Sequence, residues 1–381
     1  MKKCVVISDS FKGTLSSHEI CSIARKEIPQ VFPDCQVVTI PVADGGEGTV
    51  DCFLEACGGQ RITMPVTGPL GERREAAYGV LPDGTAVVEM AAAAGLPLVP
   101  EDRKDPCRTT TYGVGQQLRH AAEHGARRIV LGLGGSATND GGCGAVAALG
   151  VRFRDADGRE FIPTGGTLDR IADVDASAAH QLLSGVELTV MCDIDNPLYG
   201  PQGAAAIFGP QKGADAAMVA FLDNQLRALD RLMREKLGKN VAHISGAGAA
   251  GGFGAGCLAF LGGTLKSGID TVMETVNFER QLIGADVVIT GEGRIDGQSL
   301  HGKVVCGVAK TAKAHNVPVL VMVGDIAPEA EAAYQLGVSA MFSINRRPMA
   351  FAEAKELSHE NYCAALGDIL RCIRAAEGFA C

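Results

Sequence analysis

Four short loops carry the residue types from which a phosphate-handling site is built. Leu131-Gly-Leu-Gly-Gly-Ser-Ala-Thr-Asn-Asp-Gly-Gly142 follows the apolar run Arg128-Ile-Val-Leu-Gly-Leu and is bare of bulky side chains. Such a loop lets backbone N–H groups close on an anion, as phosphate-cradling loops do. Ala43-Asp-Gly-Gly-Glu-Gly-Thr49, Gly246-Ala-Gly-Ala-Ala-Gly-Gly252 and Thr290-Gly-Glu-Gly-Arg-Ile-Asp296 repeat the glycine-rich formula, two of them with carboxylates. The chemistry they fit is the handling of phosphate groups with a divalent metal, which needs cations, carboxylates and aligned donors.

Further candidates stand where apolar runs end. Ser8-Asp-Ser-Phe-Lys-Gly13 offers Asp9 as a metal or hydroxyl partner and Lys12 as a phosphate cation. Cys192-Asp-Ile-Asp-Asn-Pro197 supplies Asp193 and Asp195, and Gly209-Pro-Gln-Lys-Gly213 places Lys212 in a glycine-flanked turn. Thr290 to Asp296 adds Glu292 and Asp296, Val323-Gly-Asp325 follows the next apolar run, and Lys303 comes after His301-Gly302. In open α/β sheets ligands bind at the carboxyl ends of strands, where these loops belong. Each has a plainer explanation: Asp and Glu cap turns and helices routinely, and Lys303 equally fits a solvated first helical turn. Their recurrence at the ends of separate strands is what favours function.

Several chemistries are excluded by missing patterns. There is no Gly-x-x-x-x-Gly-Lys-Ser/Thr and no protein-kinase His-Arg-Asp or Asp-Phe-Gly element. Ser136 lies in Gly-Gly-Ser-Ala-Thr, not Gly-x-Ser-x-Gly, and the histidines show no ligand spacing. Gly246-x-Gly248-x-x-Gly251 matches the dinucleotide fingerprint, but a weak strand precedes it and no clear second strand follows. A helix packed closely through small residues explains that stretch equally well.

The elements that must position these loops show α/β alternation at both ends of the chain. Cys4-Val-Val-Ile-Ser predicts a buried strand, followed by a helix near 17–28 capped by Ser16 or Ser17, a strand from Gln36 and a helix from Gly48 to Ala56. Then the pattern changes: 61–65, 73–80 and 85–90 predict closely spaced antiparallel strands. Alternation resumes with a helix at 112–124, strands at Ile129 and at 187–191, and a long helix at 216–237. From Asp286 the rhythm is regular, with strands at 287–290, 319–323 and 340–343 and helices at 303–315, from 328 and at 358–376. The expected fold is α/β with two domains. A doubly wound Rossmann-like parallel sheet domain is built from both termini, 1–60 and 285–381. An inserted α/β domain with a mixed sheet spans 61–284.

Bulk composition agrees with a metabolic enzyme. The chain has 381 residues, 46% of them hydrophobic, with no Trp and 49 glycines that cluster after apolar runs. A net charge of −9 argues against a nucleic-acid or membrane-surface partner. Thirteen scattered cysteines without a Cys-x-x-Cys pair predict buried thiols in a reducing compartment. With no signal-peptide pattern and no apolar run approaching a bilayer span, a cytoplasmic location is expected.

Taken together, six blocks of this sequence resemble the class I bacterial glycerate kinases, in the same order from about residue 3 to 375. They are Asp9-Ser-Phe-Lys-Gly-Thr14, Val42 to Thr49, Gly134 to Gly142, Phe208-Gly-Pro-Gln-Lys-Gly213, Gly246 to Gly252 and Gly291 to Asp296. The resemblance implies the glycerate kinase I fold, with the active site between two α/β domains. It also implies ATP- and Mg2+-dependent phosphorylation of D-glycerate, at the 2-hydroxyl in close relatives, giving 2-phosphoglycerate. The 3-hydroxyl remains an alternative, as does a non-catalytic sugar-acid binding protein. Within that frame Asp193 and Lys12 are expected to be catalytic, with Asp193 accepting the hydroxyl proton. Substrate contacts are expected from Asp44, Glu47, Gly135, Ser136, Asn139 and Asp140. ATP phosphates are assigned to Lys212, Gly291, Glu292, Gly293 and Lys303, and the metal to Asp9 and Asp296. The sequence leaves the oligomeric state open, a homo-oligomer being one option.

Overall fold

The structure is a computed structural model and describes residues 1–11, 13–297 and 304–379. Its strands, in chain order, are β1 (Lys3–Ser8), β2 (Gln36–Pro41), β3 (Gln60–Thr67), β4 (Arg73–Val80), β5 (Ala86–Glu89), β6 (Arg128–Gly132), β7 (Arg152–Arg154), β8 (Glu160–Phe161), β9 (Asp173–Asp175), β10 (Glu187–Met191), β11 (Thr264–Lys266), β12 (Val287–Ile295), β13 (Val319–Ile326) and β14 (Val338–Ser343). The chain forms two compact units: Met1–Ala43 with Ile269–Cys381, and Asp44–Gly268. Among the described residues no helix is long and apolar enough to cross a membrane.

The terminal unit is built on a parallel sheet in the order β14-β13-β12-β1-β2. Five consecutive buried residues make β1 an interior strand, because an apolar run without alternation needs cover on both faces. From β1 the chain moves out to β2, then returns to the other side of β1 and builds outward through β12, β13 and β14. The direction of winding therefore reverses between β1 and β12, the place where open α/β sheets bind ligands.

Helix Ser17–Val31 starts at a capping box in which Ser16 Oγ accepts from Glu19 N at 3.1 Å and Ser16 N donates to the Glu19 carboxylate at 2.7 Å. Ser17 serves differently: its hydroxyl donates to Ser8 O at 2.6 Å and accepts from Val42 N at 2.8 Å, tying the helix start to the ends of β1 and β2. Below the sheet, Val6, Ile20, Ile28, Ile289, Met322 and Leu366 form a largely aliphatic core.

The inserted unit carries a sheet in the order β11-β10-β6-β5-β4-β3. Its first four strands are parallel, whereas β4 and β3 run antiparallel to their neighbours. The expected antiparallel segment is thus present, because the turns at Gly68 and Pro82 are too short for a parallel crossover. Helix Ala216–Leu237 has the expected bounds. Asp215 caps its start by accepting from Met218 N at 2.8 Å, and Gly238 ends it in a left-handed conformation.

Two features depart from the sequence expectation. A short strand, β11, follows the Gly246 region and pairs with β10, and a small sheet β8-β7-β9 forms at 152–175. Strands of two or three residues are too brief to leave an alternating signature.

The junctions between the units fall at 43/44 and 268/269, not near 60 and 285. Helix Thr49–Cys57 packs on β4 and β5 of the inserted unit, where Val50 N donates to the Glu89 carboxylate at 3.0 Å. Residues 269–282 lie with the terminal unit, Ile269 resting against Gly307 and Thr311 donating to Met273 Sδ at 3.8 Å.

Candidate functional site

The sequence-predicted residues of the inserted unit gather at the carboxyl ends of its parallel strands. Leu133 to Gly142 leaves β6 and is clamped on several sides. Gly134 N donates to Gly45 O at 2.9 Å, Ala137 N to Ala94 O at 2.9 Å and Gly141 N to Gly251 O at 3.0 Å. These N–H groups are engaged within the chain, so an anion would have to use the loop's other donors. Glycine is required for the approach: a Cβ at Gly134 would stand 2.6 Å from Gly46 Cα, and one at Gly132 would overlap Gly45 O.

The polar side chains of this loop turn inward. Lys212, 2% exposed, donates through Nζ to Ser136 Oγ at 2.8 Å and to Thr138 O at 2.6 Å. Burial lowers Lys212 to about 7, opposed by the nearby Asp140 charge. Asp140 is fully buried and accepts from Thr111 N at 2.9 Å, Thr111 Oγ1 at 2.8 Å, Gly142 N at 3.1 Å and Gly144 N at 3.2 Å. Its burial pushes the carboxyl up against the pull of those donors. Thr138 Oγ1 and both amide atoms of Asn139 are buried with no hydrogen-bond partner. The structure thus brings Ser136, Asp140 and Lys212 together, but as an internal brace under the loop.

Thr111 belongs to that brace and was missed in the sequence. Its hydroxyl also accepts from Ala145 N at 2.8 Å. The run Thr109-Thr-Thr111 just before a predicted helix start was the available signal, since hydroxyls there bond backbone groups.

The other candidate carboxylates of this unit, Asp44, Glu47, Asp193 and Asp195, are exposed. Asp44 Oδ1 accepts from Gly46 N at 3.0 Å, and Glu47 lies in the same turn. Asp193 stands two residues past the end of β10, where its Oδ1 accepts from Gly268 N at 2.7 Å and joins the ends of β10 and β11. Asp195 accepts from Ser245 Oγ at 2.6 Å instead.

In the terminal unit the candidates lie at the β1/β12 reversal. Asp9 N donates to Gly291 O at 2.9 Å, and Ser10 N donates to Asp9 Oδ1 at 2.7 Å. The strand register sets Val6 opposite Ile289, which carries Asp9 to the level of Glu292. Asp296 lies four residues farther on, one past the end of β12, on the order of 13 Å in extended chain. Asp9 is therefore placed beside Glu292 and not beside Asp296. Gly291 and Gly293 flank Glu292, and a Cβ at Gly291 would overlap Met322 O. Lys12 and Lys303 lie outside the described residues.

Among the described residues no group of three His, Cys, Asp or Glu side chains could hold a metal unaided. Mg2+ commonly takes one or two protein carboxylates and completes its shell with water and substrate phosphates. Asp9, just past the end of β1, and Glu292, within the neighbouring strand β12, fit that requirement.

Comparisons with known proteins cover nearly the whole chain. The sequence model of the glycerate kinase family matches residues 4–374. A glycerate kinase of Bacillus subtilis (strain 168) is 46% identical over 376 residues, 98% of each chain. A glycerate 2-kinase of Escherichia coli (strain K12) is 45% identical over 368 residues, covering 96% of this chain and 97% of the other. A glycerate kinase 2 crystal structure from Salmonella typhimurium LT2 superposes with a TM-score of 0.87 at 41% identity, covering 99% of both chains. With both units and every glycine-carboxylate loop inside the matched span, the chain is a kinase and belongs to the glycerate kinase family.

Proposed function

We propose that this protein transfers the γ-phosphoryl group of ATP to the 2-hydroxyl of D-glycerate, releasing ADP and 2-phosphoglycerate, in the cytoplasm. The observation that carries this reading is the family match over residues 4–374, which takes in the brace of the inserted unit and the β1/β12 reversal alike. The 2-hydroxyl is favoured because a relative 45% identical over 96% of this chain is named a glycerate 2-kinase.

In this reading Asp193 accepts the proton of the attacking hydroxyl as the new P–O bond forms and the bond to ADP breaks. Its position beyond a strand end, held by Gly268 N, limits its freedom without burying it. Asp44 and Glu47 accept from substrate hydroxyls, and Gly135 with Asn139 contribute at the glycine loop. Lys212, Ser136 and Asp140 hold that loop in shape from beneath, so they act on binding through position. Asp9 and Glu292 hold Mg2+, with Asp296 near the phosphates, and Gly291, Gly293, Lys12 and Lys303 complete the nucleotide contacts. Bound Mg2+ neutralises charge on the phosphate oxygens.

The test is purified protein with D-glycerate, ATP and Mg2+, the product identified by phosphorus NMR. ADP and 2-phosphoglycerate are expected, with activity abolished by EDTA and restored by excess Mg2+. Folded protein that turns over no hydroxy acid would overturn the kinase reading. Formation of 3-phosphoglycerate would move the reaction to the other hydroxyl, and full activity in chelator would remove the metal.

A further inference from the structure

Near the glycine loop the inserted unit opens a cavity of about 530 Å³ whose wall is mostly charged. Arg103, Lys104 and Arg108 face it together with Asp102 and Asp105, and Leu70 and Met218 close its sides. That volume lies within the range of small-molecule sites. One of the charges is already paired, Lys104 with Glu101 at 2.5 Å, and Asp105 Oδ1 accepts from Cys107 N at 3.0 Å. The guanidiniums of Arg103 and Arg108 have no ion pair or hydrogen bond among the described residues. Two unmatched guanidiniums on one concave wall, in a chain of net charge −9, are an arrangement for a small anion.

The wall is also fixed in place. Arg108 N donates to Asp105 O at 3.0 Å, Gly166 N to Cys107 O at 2.9 Å and Thr110 N to Pro69 O at 3.0 Å. Thr109 Oγ1 donates to Ala137 O at 2.9 Å, joining the wall directly to the glycine loop. Gly213, next to the buried Lys212, packs so closely that a Cβ there would stand 2.6 Å from Lys104 O. The same brace that shapes the loop therefore sets the cavity wall.

We infer that this cavity receives the acid end of the acceptor, a small hydroxy-carboxylate, with Arg103 and Arg108 paired to its carboxylate and Asp102 accepting from a hydroxyl. The mixed sign of the wall suits a monoanion that carries hydroxyl donors, whereas a phosphate chain would meet two carboxylates as well. The inference rests on the proposed acceptor class and adds residues to it. The space exceeds what a three-carbon acid fills, so longer hydroxy acids compete for it.

The test measures D-glycerate binding by calorimetry without nucleotide, alongside steady-state kinetics, for wild type and Arg103→Gln/Arg108→Gln. The double variant should raise the glycerate Kd and KM at least tenfold, with the KM for ATP within twofold and the melting temperature unchanged. Arg103→Lys/Arg108→Lys should recover most of the loss, and Arg108→Gln alone serves if the double variant folds poorly. Unchanged glycerate Kd and KM in the double variant, beside a wild type that turns over, would overturn the inference and leave the kinase reading standing. A raised KM for ATP, or lost binding of inorganic phosphate with glycerate unaffected, would assign the cavity to phosphate and overturn it equally. Glycerate binding lost in the variant of a wild type that shows no turnover would support the cavity and defeat the kinase reading.

Discussion

Asp193 and Lys212 show how two charged residues, each next to a glycine-rich loop, are given opposite surroundings. Asp193 is exposed and accepts from Gly268 N, a bond that an amide oxygen can also accept. Asp193→Asn should therefore keep the melting temperature while kcat falls about 10²–10⁴-fold, the usual cost of losing a general base. Asp195→Asn is the comparison, because its carboxylate is turned to Ser245. A severe loss in Asp195→Asn with Asp193→Asn intact would exchange their roles.

Lys212 is buried and lowered to about 7 from an ordinary 10.5. Between those values the unfolded chain holds a proton that the folded chain has released, so this group makes stability rise with pH across that window. The slope cannot exceed about 1.4 kcal/mol per pH unit for one proton. Thermal melts from pH 6.5 to 9.5 should show wild type gaining on Lys212→Met as pH rises. Parallel profiles would show that Lys212 keeps its proton in the folded protein.

At the scale of elements, the loops depend on backbone approaches that only glycine permits. Residues 45–46 lie against 132–134, and the kinked helix Ala249–Phe260 lies against 138–142. Its residues Ala250, Gly251 and Gly252 are left-handed, and Cβ atoms at Gly251 and Gly256 would overlap Thr138 O and Gly141 O. The dinucleotide-like spacing at Gly246 thus serves packing, as its small-residue composition allowed. Gly132→Ala should destabilise by about 1–3 kcal/mol, the range of overpacked sites, and lower activity with it. Calorimetry and turnover on the same preparation check this, and a variant equal to wild type in both would show that the neighbouring loop yields freely.

At the scale of the molecule, the two units have separate apolar cores. One runs from Val66 to Phe260 entirely within the inserted unit, and the other joins Cys4 to Leu370 across the two terminal segments. Both ends of the inserted unit, at Asp44 and Gly268, emerge at the carboxyl edge of its own sheet, which lets it interrupt another fold. A fragment of residues 44–268 should consequently fold alone with one cooperative melt. Residues 269–381 alone should not, since β12 would lack its β1 partner. Native-like spectra from the 269–381 fragment would contradict that dependence.

The sequence by itself determined the element types wherever a run was long enough to show its period. The unalternating Cys4 to Ile7 predicted an interior strand, and the helix expected at 216–237 has those bounds in the structure. It also determined the family, because six ordered blocks jointly exceed what turn chemistry alone would repeat. Strands as short as β11 carried no period to detect. Tertiary structure alone decided which polar side chains face solvent: Lys212 and Ser136 are 76 residues apart in the chain, and only packing sealed them into contact. It decided likewise that Asp9 stands beside Glu292, because strand register, which no local pattern encodes, is set by the long-range pairing of β1 with β12.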